Sequence, residues 1–338
     1  MALVVYTSSD EQWSFAEQTT WGTAVGDAAA SMGILTEGFG VDSAINFRNP
    51  PRARSQRYNH TNDIIADQKG VAFQTNGLST PALHDVLDFL LYGVMQNVVE
   101  STLSASVHRK TFTFPETQPD FSVNAGEFFT IWGNSQVASN NQKMHDAIIS
   151  ELAISCSNGS NEGELFASPT FFARNHSDVA NYSGTVTYPT LLATNEFMFY
   201  DIVTAKIGGN AVVLGDNGFS ITIRNSASKV GQSSGVFESI VLQRYDVEIS
   251  ANILWDSVSR SLAANTKDGT TVTFEFEWGV AGAVGHLEFT GSAKISDAVN
   301  IEHAQEGNFV TIPLVCAGSY GVTEPLQVIM TTANDRGW

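Results

Sequence analysis

The stretch ITIRN (residues 221–225) nearly repeats an earlier stretch, INFRN (residues 45–49). The sequence that follows also matches at the same offset, because VAFQTN (71–76) falls opposite VEISAN (247–252). In both of these segments the apolar residues stand two positions apart, which is the spacing of a strand with one buried face. The matching stretches therefore predict two copies of one β-rich unit.

Each of these strands leads into a segment with helical character. In STPALHDVLDFLLYG (79–93), Thr80 fits an N-cap, Pro81 the first helical position and Gly93 the residue past the end. In ILWDSVSRSLAANTKDG (253–269), apolar residues recur every four positions. We expect one helix in each copy.

Beyond the helices the matches continue at a shorter offset. GEFFT (126–130) matches HLEFT (286–290), and LAISC (152–156) matches IPLVC (312–316). Because the offset changes between the helix and these strands, the first copy should carry one extra loop, which we place at residues 93–110.

The order of these matches predicts a mainly β fold with two tandem domains, each a β-sandwich or open barrel with one short helix across it. The predicted domains span residues 36–174 and 216–338. An N-terminal arm (1–35) precedes them, and a connector with two strand-like runs (175–215) joins them. We expect the arm to contribute little to the core.

The two cysteines, Cys156 and Cys316, occupy equivalent places in the matched copies. Equivalent atoms of neighbouring domains lie about a domain width apart, whereas a disulfide allows roughly 7 Å between Cα atoms. We therefore expect two buried thiols and no bridge between them.

The charge balance limits the possible functions. The formal net charge is -18, from 35 acidic and 17 basic residues, which is unlike a protein that grips nucleic acid through its phosphates. The signatures of phosphate-binding loops, dinucleotide sites and nucleophile elbows do not occur. The seven histidines form no HxxxH or HExxH motif and no CxxC is present, so we expect no metal site. We expect no cofactor and no enzymatic activity.

Acidic residues alternate with apolar residues on two strand-like stretches. In TVTFEFEW (271–278), Glu275 and Glu277 share one face, and in YDVEIS the same holds for Asp246 and Glu248. Neighbours on one strand project in parallel, so they cannot flank a glycosidic bond from opposite sides as the two carboxylates of a glycosidase do. The pattern indicates polar sheet faces and not catalytic pairs.

Several segments resemble tail tube proteins of long-tailed bacteriophages. EQTTWGTAV (17–25) is similar to a signature near the start of many of these proteins, in which an acidic residue precedes an aromatic–Gly–Thr triplet. GLSTPALHDVLDFLLYG (77–93) resembles the family's step from strand to helix. The segments at 144–174 and 299–318 resemble its later strands.

The resemblance implies a structural protein of the virion tail that assembles with itself. A duplicated chain resembles the double-domain members of the family, three of which form a ring that imitates a ring of six. Stacked rings enclose a channel through which double-stranded DNA passes during ejection without specific binding. A tape measure protein and tail-end proteins are the further partners implied, with no membrane involved.

A channel wall that DNA must pass should carry acids and few bases. The candidate channel residues are Gln74, Asp246, Glu248, Glu275 and Glu277. The sequence allows the outer surface equally well for these residues. The arm and the extra loop at 93–110 are candidate contacts between stacked rings, because their aromatic residues need a partner to bury them. The aromatic candidates are Trp13, Phe15 and Trp21.

A second function class stays open. A two-domain β protein with many Asn, Thr and aromatic residues also suits a carbohydrate-binding or adhesive module of a virion or an envelope. Such a module predicts exposed aromatic side chains in a concave patch and discrete oligomers, whereas a tube predicts polymers of variable length. The N-terminal stretch lacks a basic leader followed by a long apolar segment, so we expect synthesis in the host cytoplasm.

Overall fold

A computed structural model describes the chain at residues 11–26, 32–34, 40–43, 47–48, 65–66, 73–76, 80–82, 84–115, 128–135, 142–159, 163–177, 196–230, 239–265, 269–297, 300–304, 307–317, 324–333 and 335. Most of these residues lie in antiparallel strands, and two short helices complete the fold. The mainly β class predicted from the sequence is confirmed. Neither helix has the length and apolar character that crossing a bilayer requires.

For description, we separate the elements into a first part that ends with β12 and a second part that follows it. The first part contains β1 (Glu11–Glu17), β2 (Met32–Ile34), β3 (Gly40–Ser43), β4 (Phe47–Arg48), β5 (Ile65–Ala66), β6 (Phe73–Asn76), β7 (Thr80–Pro81), α1 (His84–Met95), β8 (Asn97–Ser104), β9 (Val107–Thr113), β10 (Phe129–Ser135), β11 (Gln142–Cys156) and β12 (Leu165–Ser177). The second part contains β13 (Ile202–Ile207), β14 (Asn210–Ala211), β15 (Leu214–Val230), β16 (Ser239–Leu254), α2 (Ser257–Asn265), β17 (Thr271–Trp278), β18 (His286–Ile295), β19 (Asn300–Ala304), β20 (Gly307–Cys316) and β21 (Leu326–Thr332).

One run of antiparallel neighbours passes from the first part of the chain into the second. We call this run the front layer; its strands, in spatial order, are β3, β6, β12, β11, β15, β16 and β20. The joint between the two parts is the pairing of β11 with β15, in which Glu151 faces Arg224 and Cys156 faces Phe219. The backbone groups of both strand edges are satisfied there without a second chain.

A second run of neighbours packs behind the first. We call it the back layer; its strands, in spatial order, are β13, β17, β18, β21, β9 and β8. Here too the halves meet, because β21 pairs with β9. The ring of Phe219 in the front layer stacks on that of Phe276 in the back layer, with centroids 4.5 Å apart and an interplanar angle of 3°. The layers therefore pack face to face as a sandwich.

Strict alternation of buried and exposed residues explains this packing. Along β17, Phe274, Phe276 and Trp278 are buried while the residues between them are exposed or half-buried. The same alternation holds on β16, where Val247 and Ile249 are buried. Since successive side chains on a strand point to opposite faces, strands such as β16 and β17 give their apolar face to the core and their polar face to the surface, whereas β21 is buried on both faces.

The helix α1 lies against the first half of this core, and its boundaries differ from the prediction. Thr80 and Pro81 belong to β7, which pairs with β12, so they do not cap the helix. Gly93 lies inside the helix and not beyond it. The helix ends instead at Gln96, which has a positive φ of 65° and donates its N–H to the carbonyl of Tyr92 at 2.8 Å, as a C-terminal capping residue does.

Gly93 permits a close approach between the helix and the sheet. A Cβ at this position would stand 2.6 Å from Cδ1 of Ile149 and 2.8 Å from Cε2 of Phe129. These distances are shorter than van der Waals contact, so a side chain at this position would force Ile149 or Phe129 to move. This is why the residue is a glycine although glycine disfavours a helix interior.

The second member of the repeated pair, ITIRN, ends in a residue that joins the halves. Asn225 on β15 is buried, and its amide nitrogen donates to the carbonyls of Val94 at 2.8 Å and Ile149 at 3.1 Å. Val94 lies in the last turn of α1, where carbonyls have no partner within the helix. Asn225 thus satisfies an orphan carbonyl of one half from a strand of the other.

The N-terminal arm contributes to the core, contrary to our expectation. The strand β1 pairs with β10 along its whole length, and Phe15 is fully buried against Phe89, with ring centroids 5.0 Å apart. The sequence of β1, EQWSFAE, carries only three apolar residues in seven, which is why its membership of the sheet was missed.

A similar strand order occurs in both parts of the chain. In the first part β3, β6, β12, β11 and β10 are successive neighbours, and in the second part β15, β16, β20, β18 and β17 are. This order equates β11 with β18, whereas the sequence matches equated it with β20. The matches were wrong in that detail because short alternating strands resemble one another in any register. The extra loop predicted at residues 93–110 falls on the end of α1 and on the β8–β9 hairpin.

Substitution of Gly93 by Ala should destabilise the protein by about 1–3 kcal/mol through overpacking, although Ala is the better helix former. The double variant Gly93→Ala/Ile149→Val removes the nearest atom, so it should lose less stability than the sum of the two single variants. Urea unfolding of the four proteins measures this. Strictly additive losses would show that the contact with Ile149 does not fix the glycine.

Candidate functional surfaces

The outward face of the front layer carries a ladder of charged side chains, which we call the front surface. Arg224 on β15 donates from Nε to Glu151 on β11 at 2.9 Å and from Nη1 to Glu248 on β16 at 2.6 Å. All three side chains remain partly exposed. The hydrogen bond to Glu248, then that to Glu151, raises the pKa of Arg224. The guanidinium is thus held between two carboxylates on three adjacent strands.

The rest of the front surface is mostly small and polar. Asp246, the register partner of Arg224, forms an ion pair with Arg244 at 2.6 Å. Beside the charged ladder, the described members on β11, β15 and β16 carry hydroxyl or methyl groups, and Pro313 and Val315 lie on the same face along β20. The members with hydroxyl or methyl groups include Ala153, Ser155, Ser220, Thr222 and Ser250. Two open hollows of about 400 and 330 Å³ lie on this surface, and Ser220 and Ser250 line both of them.

The outward face of the back layer carries a different polar group, which we call the back surface. Lys206 on β13 donates to both carboxylate oxygens of Glu275 at 2.9 and 3.1 Å. Glu277 accepts from the hydroxyl of Thr204 at 2.8 Å and lies 3.2 Å from Nε2 of His286. Glu275 and Glu277 share one face, as predicted, and each has its own partner.

Glu288 belongs to the same back surface and stands opposite Glu277 on the neighbouring strand. Burial, reinforced by the negative charges of Glu277 and Glu275, raises the pKa of Glu288. The charges of His286 and Arg109 act in the other direction. The carboxylates therefore repel one another, and Lys206 and Arg109 offset part of this repulsion.

The structure separates the candidate channel residues. Because β15 and β17 pack face to face through Phe219 and Phe276, side chains on their outward faces leave the sandwich in opposite directions. Asp246 and Glu248 lie on the front surface, and Glu275 and Glu277 lie on the back surface. Gln74 lies in β6, where its backbone pairs with Phe172 of the front layer, and its side chain lies outside the part described.

The segment EQTTWGTAV is held by a buried polar cluster, which we call the arm clasp. The carboxylate of Asp146 accepts hydrogen bonds from the amide of Gln18 and from the backbone N–H of Gly22, the latter at 2.7 Å. The amide oxygen of Gln18 accepts from the N–H of Asp146 at 3.0 Å and from the hydroxyl of Thr130 at 3.1 Å. Gln18, Thr130 and Asp146 are all fully buried.

The backbone around the clasp is shaped to allow these bonds. Asp146 has a positive φ of 53° beside an irregularity in the pairing of β10 with β11, so its carboxylate turns toward the arm. Gly22 has a φ of 81°, which favours glycine. Further along the segment, Lys143 donates to the carbonyl of Val25 at 2.8 Å. The Gly of the aromatic–Gly–Thr triplet is therefore explained by the turn that reaches Asp146.

The three aromatic candidates for contacts between rings have different surroundings. Phe15 is fully buried in the core of its own chain, so its side chain cannot contact a neighbouring subunit. Trp21 is half-buried, with its ring edge-on to Phe128 at 5.3 Å. Trp13 pairs through its backbone with Gly133 of β10 and Ile34 of β2, and its side chain lies outside the part described.

The cysteine thiols are both free. Burial raises the pKa of Cys156 to about 12 and that of Cys316 to about 12. Since the thiolate is the reactive form, neither group is a nucleophile near neutral pH. Both act as small apolar residues of the core, where Cys156 is buried and Cys316 is partly buried.

These features define a class: an antiparallel β protein whose main sheet runs unbroken from one half of the chain to the other between two polar outer faces. A family model described as phage tail tube protein matches residues 8–313. The chain therefore belongs to the phage tail tube protein family and is a structural protein of the bacteriophage virion tail. A comparison with curated proteins finds no match.

Sequence reasoning missed the arm clasp and the charged ladder for one reason. Gln18 and Asp146, like Glu151 and Arg224, are far apart in sequence and meet only through strand pairing. A signal for the clasp was present in the family-like segment, because a Gly after an aromatic residue marks a special turn. The ladder had no comparable signal.

Replacing Asp146 by Asn should destabilise the protein by about 1–3 kcal/mol at pH 7, because a buried charge-assisted hydrogen bond is lost. Burial raises the pKa of Asp146, but bonds from His145, Gly22 and Gln18 outweigh it and the pKa is lowered. The stabilisation is therefore complete above the unfolded pKa, about 3.9, and is lost as the pH falls through the lower folded value.

Thermal unfolding between pH 2 and 7 measures this effect, and hydrogen exchange at the amides of Gly22 and Val25 reports on the arm itself. The control Asp201→Asn changes an exposed carboxylate and should leave both readouts unchanged. Equal stability of the two variants at every pH would remove the assigned role of Asp146.

Proposed function

We propose that three chains form a ring, that rings stack into a hollow tube, and that double-stranded DNA passes through its channel during ejection. Each chain would supply two tube-like domains, residues 36–174 and 216–338, joined by the connector 175–215 and preceded by the arm 1–35. The observation that carries this proposal is the β11–β15 joint, at which sheets of the two halves combine edge to edge.

A ring needs the same kind of joint between chains. In the shared strand order, β18 occupies the place of β11 and β3 occupies the place of β15. Both edges of β18 are already paired, with β17 along one and with β21 and β20 along the other, so β18 itself cannot accept β3. The joint between chains would instead bring the outer edge of β3, which pairs with β6 alone among the described strands, to an open strand edge of the next chain. Repetition of alternating joints around an axis closes the sheet into a barrel and leaves no unpaired edge. Two domains per chain make a ring of three chains resemble one of six.

We assign the front surface to the channel, because its arginine at the centre of the charged ladder, Arg224, is held by two carboxylates. Asp246, Glu248 and Gln74 would then belong to the channel wall, with Glu275 and Glu277 on the outside. Phosphates bind to cationic side chains through release of counterions, and each such contact would slow the passage of DNA. Arg224, bonded to Glu151 and Glu248, is already neutralised and offers little to a phosphate.

Contacts between stacked rings would come from an apolar patch at the β8–β9 hairpin, together with Trp21 and Trp13. Val99 and Leu103 on β8 are 64% and 49% exposed, and Val280 and Val284 in the neighbouring turn are 72% and 44% exposed. Leu103 lies beside that turn, since a Cβ on Gly282 would stand 3.9 Å from its Cδ1. Exposed valine and leucine side chains that cluster in this way mark an interaction surface.

The remaining roles follow from tube assembly. A tape measure protein inside the channel and tail-end proteins would be the other partners, and the chain would be made in the host cytoplasm without catalytic activity. The carbohydrate-binding alternative needs several exposed aromatic side chains in a concave patch. Among the side chains that the structure describes, Tyr200 is the one exposed aromatic.

The concentrated purified protein should form hollow rods of variable length whose end views have threefold symmetry with six similar lobes. Negative-stain electron microscopy tests this directly. A variant with Val99 and Leu103 both changed to Ser should keep its fold and form rings without rods, because its inter-ring patch is polar. Discrete particles from the unmodified protein at every concentration would contradict the proposal.

Neutralising the ladder should make the channel retain DNA. In Glu151→Gln/Glu248→Gln tubes, Arg224 loses both carboxylate partners and becomes free to bind a phosphate. A short DNA duplex should therefore bind more tightly, and the salt slope of binding should steepen by about one for each phosphate that an arginine newly binds.

The matched control is Glu275→Gln/Glu277→Gln, which removes the same charge from the back surface. Co-sedimentation of labelled duplex with tubes measures both variants. Stronger retention by the control would reverse the assignment of the two surfaces.

A further inference from the structure

Three residues with metal-binding side chains meet where the β8–β9 hairpin touches the end of the chain. Glu100 lies on β8, His108 on β9 and Asp335 just after β21. One ligand atom of each lies within 4.8 Å of the other two. The strands β8, β9 and β21 are direct neighbours, and Thr332 stands opposite His108, so the backbone pairing itself brings the three side chains together.

The histidine of this group is buried with a polar atom left unsatisfied. His108 is 5% exposed, and its Nδ1 makes no hydrogen bond within the described part of the chain. Nδ1 lies 3.3 Å from Oε1 of Glu100, whose side chain is 6% exposed. Two ligands about 2.1 Å from one tetrahedral ion stand about 3.4 Å apart, so this spacing fits two ligands of a single Zn²⁺.

The surrounding charges also suit a divalent cation. Lys110, which pairs with Glu100 across the hairpin, donates to Asp88 at 2.5 Å, and both of these side chains are fully buried. Arg109 follows His108 on the strand and projects to the other face, where it is exposed. The ammonium of Lys110 is therefore countered by Asp88, and the guanidinium of Arg109 lies on the other face of the strand, away from the cluster.

We propose that Glu100, His108 and Asp335 form a Zn²⁺ site. One imidazole nitrogen and two carboxylate oxygens are donors that zinc accepts, and imidazole is disfavoured by Mg²⁺ and Ca²⁺. Asp335 is exposed, so the fourth position of the ion is open to water. The ion would tie the β8–β9 hairpin to the segment after β21, fixing a hairpin that packs at the edge of the back layer. This site is independent of ring formation.

Isothermal titration of the chelator-treated full-length chain with ZnCl₂ tests the site. The expected result is saturable binding of one Zn²⁺ per chain, much tighter than binding of Mg²⁺, with added hydrogen-exchange protection at the amides of Thr102 and His108. Asp335→Asn removes one exposed ligand and should weaken Zn²⁺ binding by at least about 10-fold. His108→Gln should abolish binding, and if that variant fails to fold, Asp335→Asn alone decides.

The control Asp201→Asn changes an exposed carboxylate outside the cluster and should bind Zn²⁺ as the unmodified chain does. Weak, non-saturable uptake would show only adventitious association with an acidic surface and would overturn the proposal. Tight binding that is the same in Asp335→Asn would place the metal elsewhere and would overturn it equally.

Discussion

Unpaired strand edges are the constraint on which this structure depends. A β-strand that leaves its N–H and C=O groups unsatisfied at an edge is a template for another chain. Here β11 meets β15 along six residue pairs, from Glu151 opposite Arg224 to Cys156 opposite Phe219. The joint satisfies two edges that would otherwise need a neighbouring molecule. In our proposal, joints of the same kind link neighbouring subunits of the assembled tail.

The two sides of the sandwich differ in how they handle charge. On the front surface a single guanidinium is shared by two carboxylates across three strands, so its potential is cancelled locally. On the back surface Glu275 and Glu277 have separate partners in Lys206 and Thr204. A wall that DNA slides past gains from the first arrangement, because bound phosphates would have to displace carboxylates already in place.

The sequence predicted what depends on local periodicity and missed what depends on distant pairing. Alternation along β16 and β17 correctly separated polar from buried faces, and the helical stripe correctly located α1. The predicted C-terminal end of α1 was wrong. Gly93 was assigned to the residue past the helix end, but it lies inside the helix, where it contacts Ile149 and Phe129. Phe15 was assigned to the surface because its strand carries few apolar residues, yet pairing with β10 places it in the core.

On the candidate surfaces, too, the sequence predicted the features that depend on local spacing and missed those that depend on distant strand pairing. The spacing of Glu275 and Glu277 in the sequence was enough to predict that they share one face of the strand. The direction of that face could not be predicted, because it depends on the stacking of Phe219 on Phe276 between the two layers. The partners of Arg224, Glu151 and Glu248, lie on the neighbouring strands β11 and β16, and no local sequence pattern predicts this pairing. The arm clasp likewise unites Gln18 and Asp146 from opposite ends of the first half.

The central claim is that the chain repeats between subunits the joint it already contains between β11 and β15. Backbone hydrogen exchange, compared between isolated subunits and assembled tubes, tests it most directly. The amides at 151–156 and 219–224 should be protected in both states, while those of β3 that point away from β6 should become protected only on assembly. Unchanged exchange at β3, with new protection confined to other segments, would contradict the account.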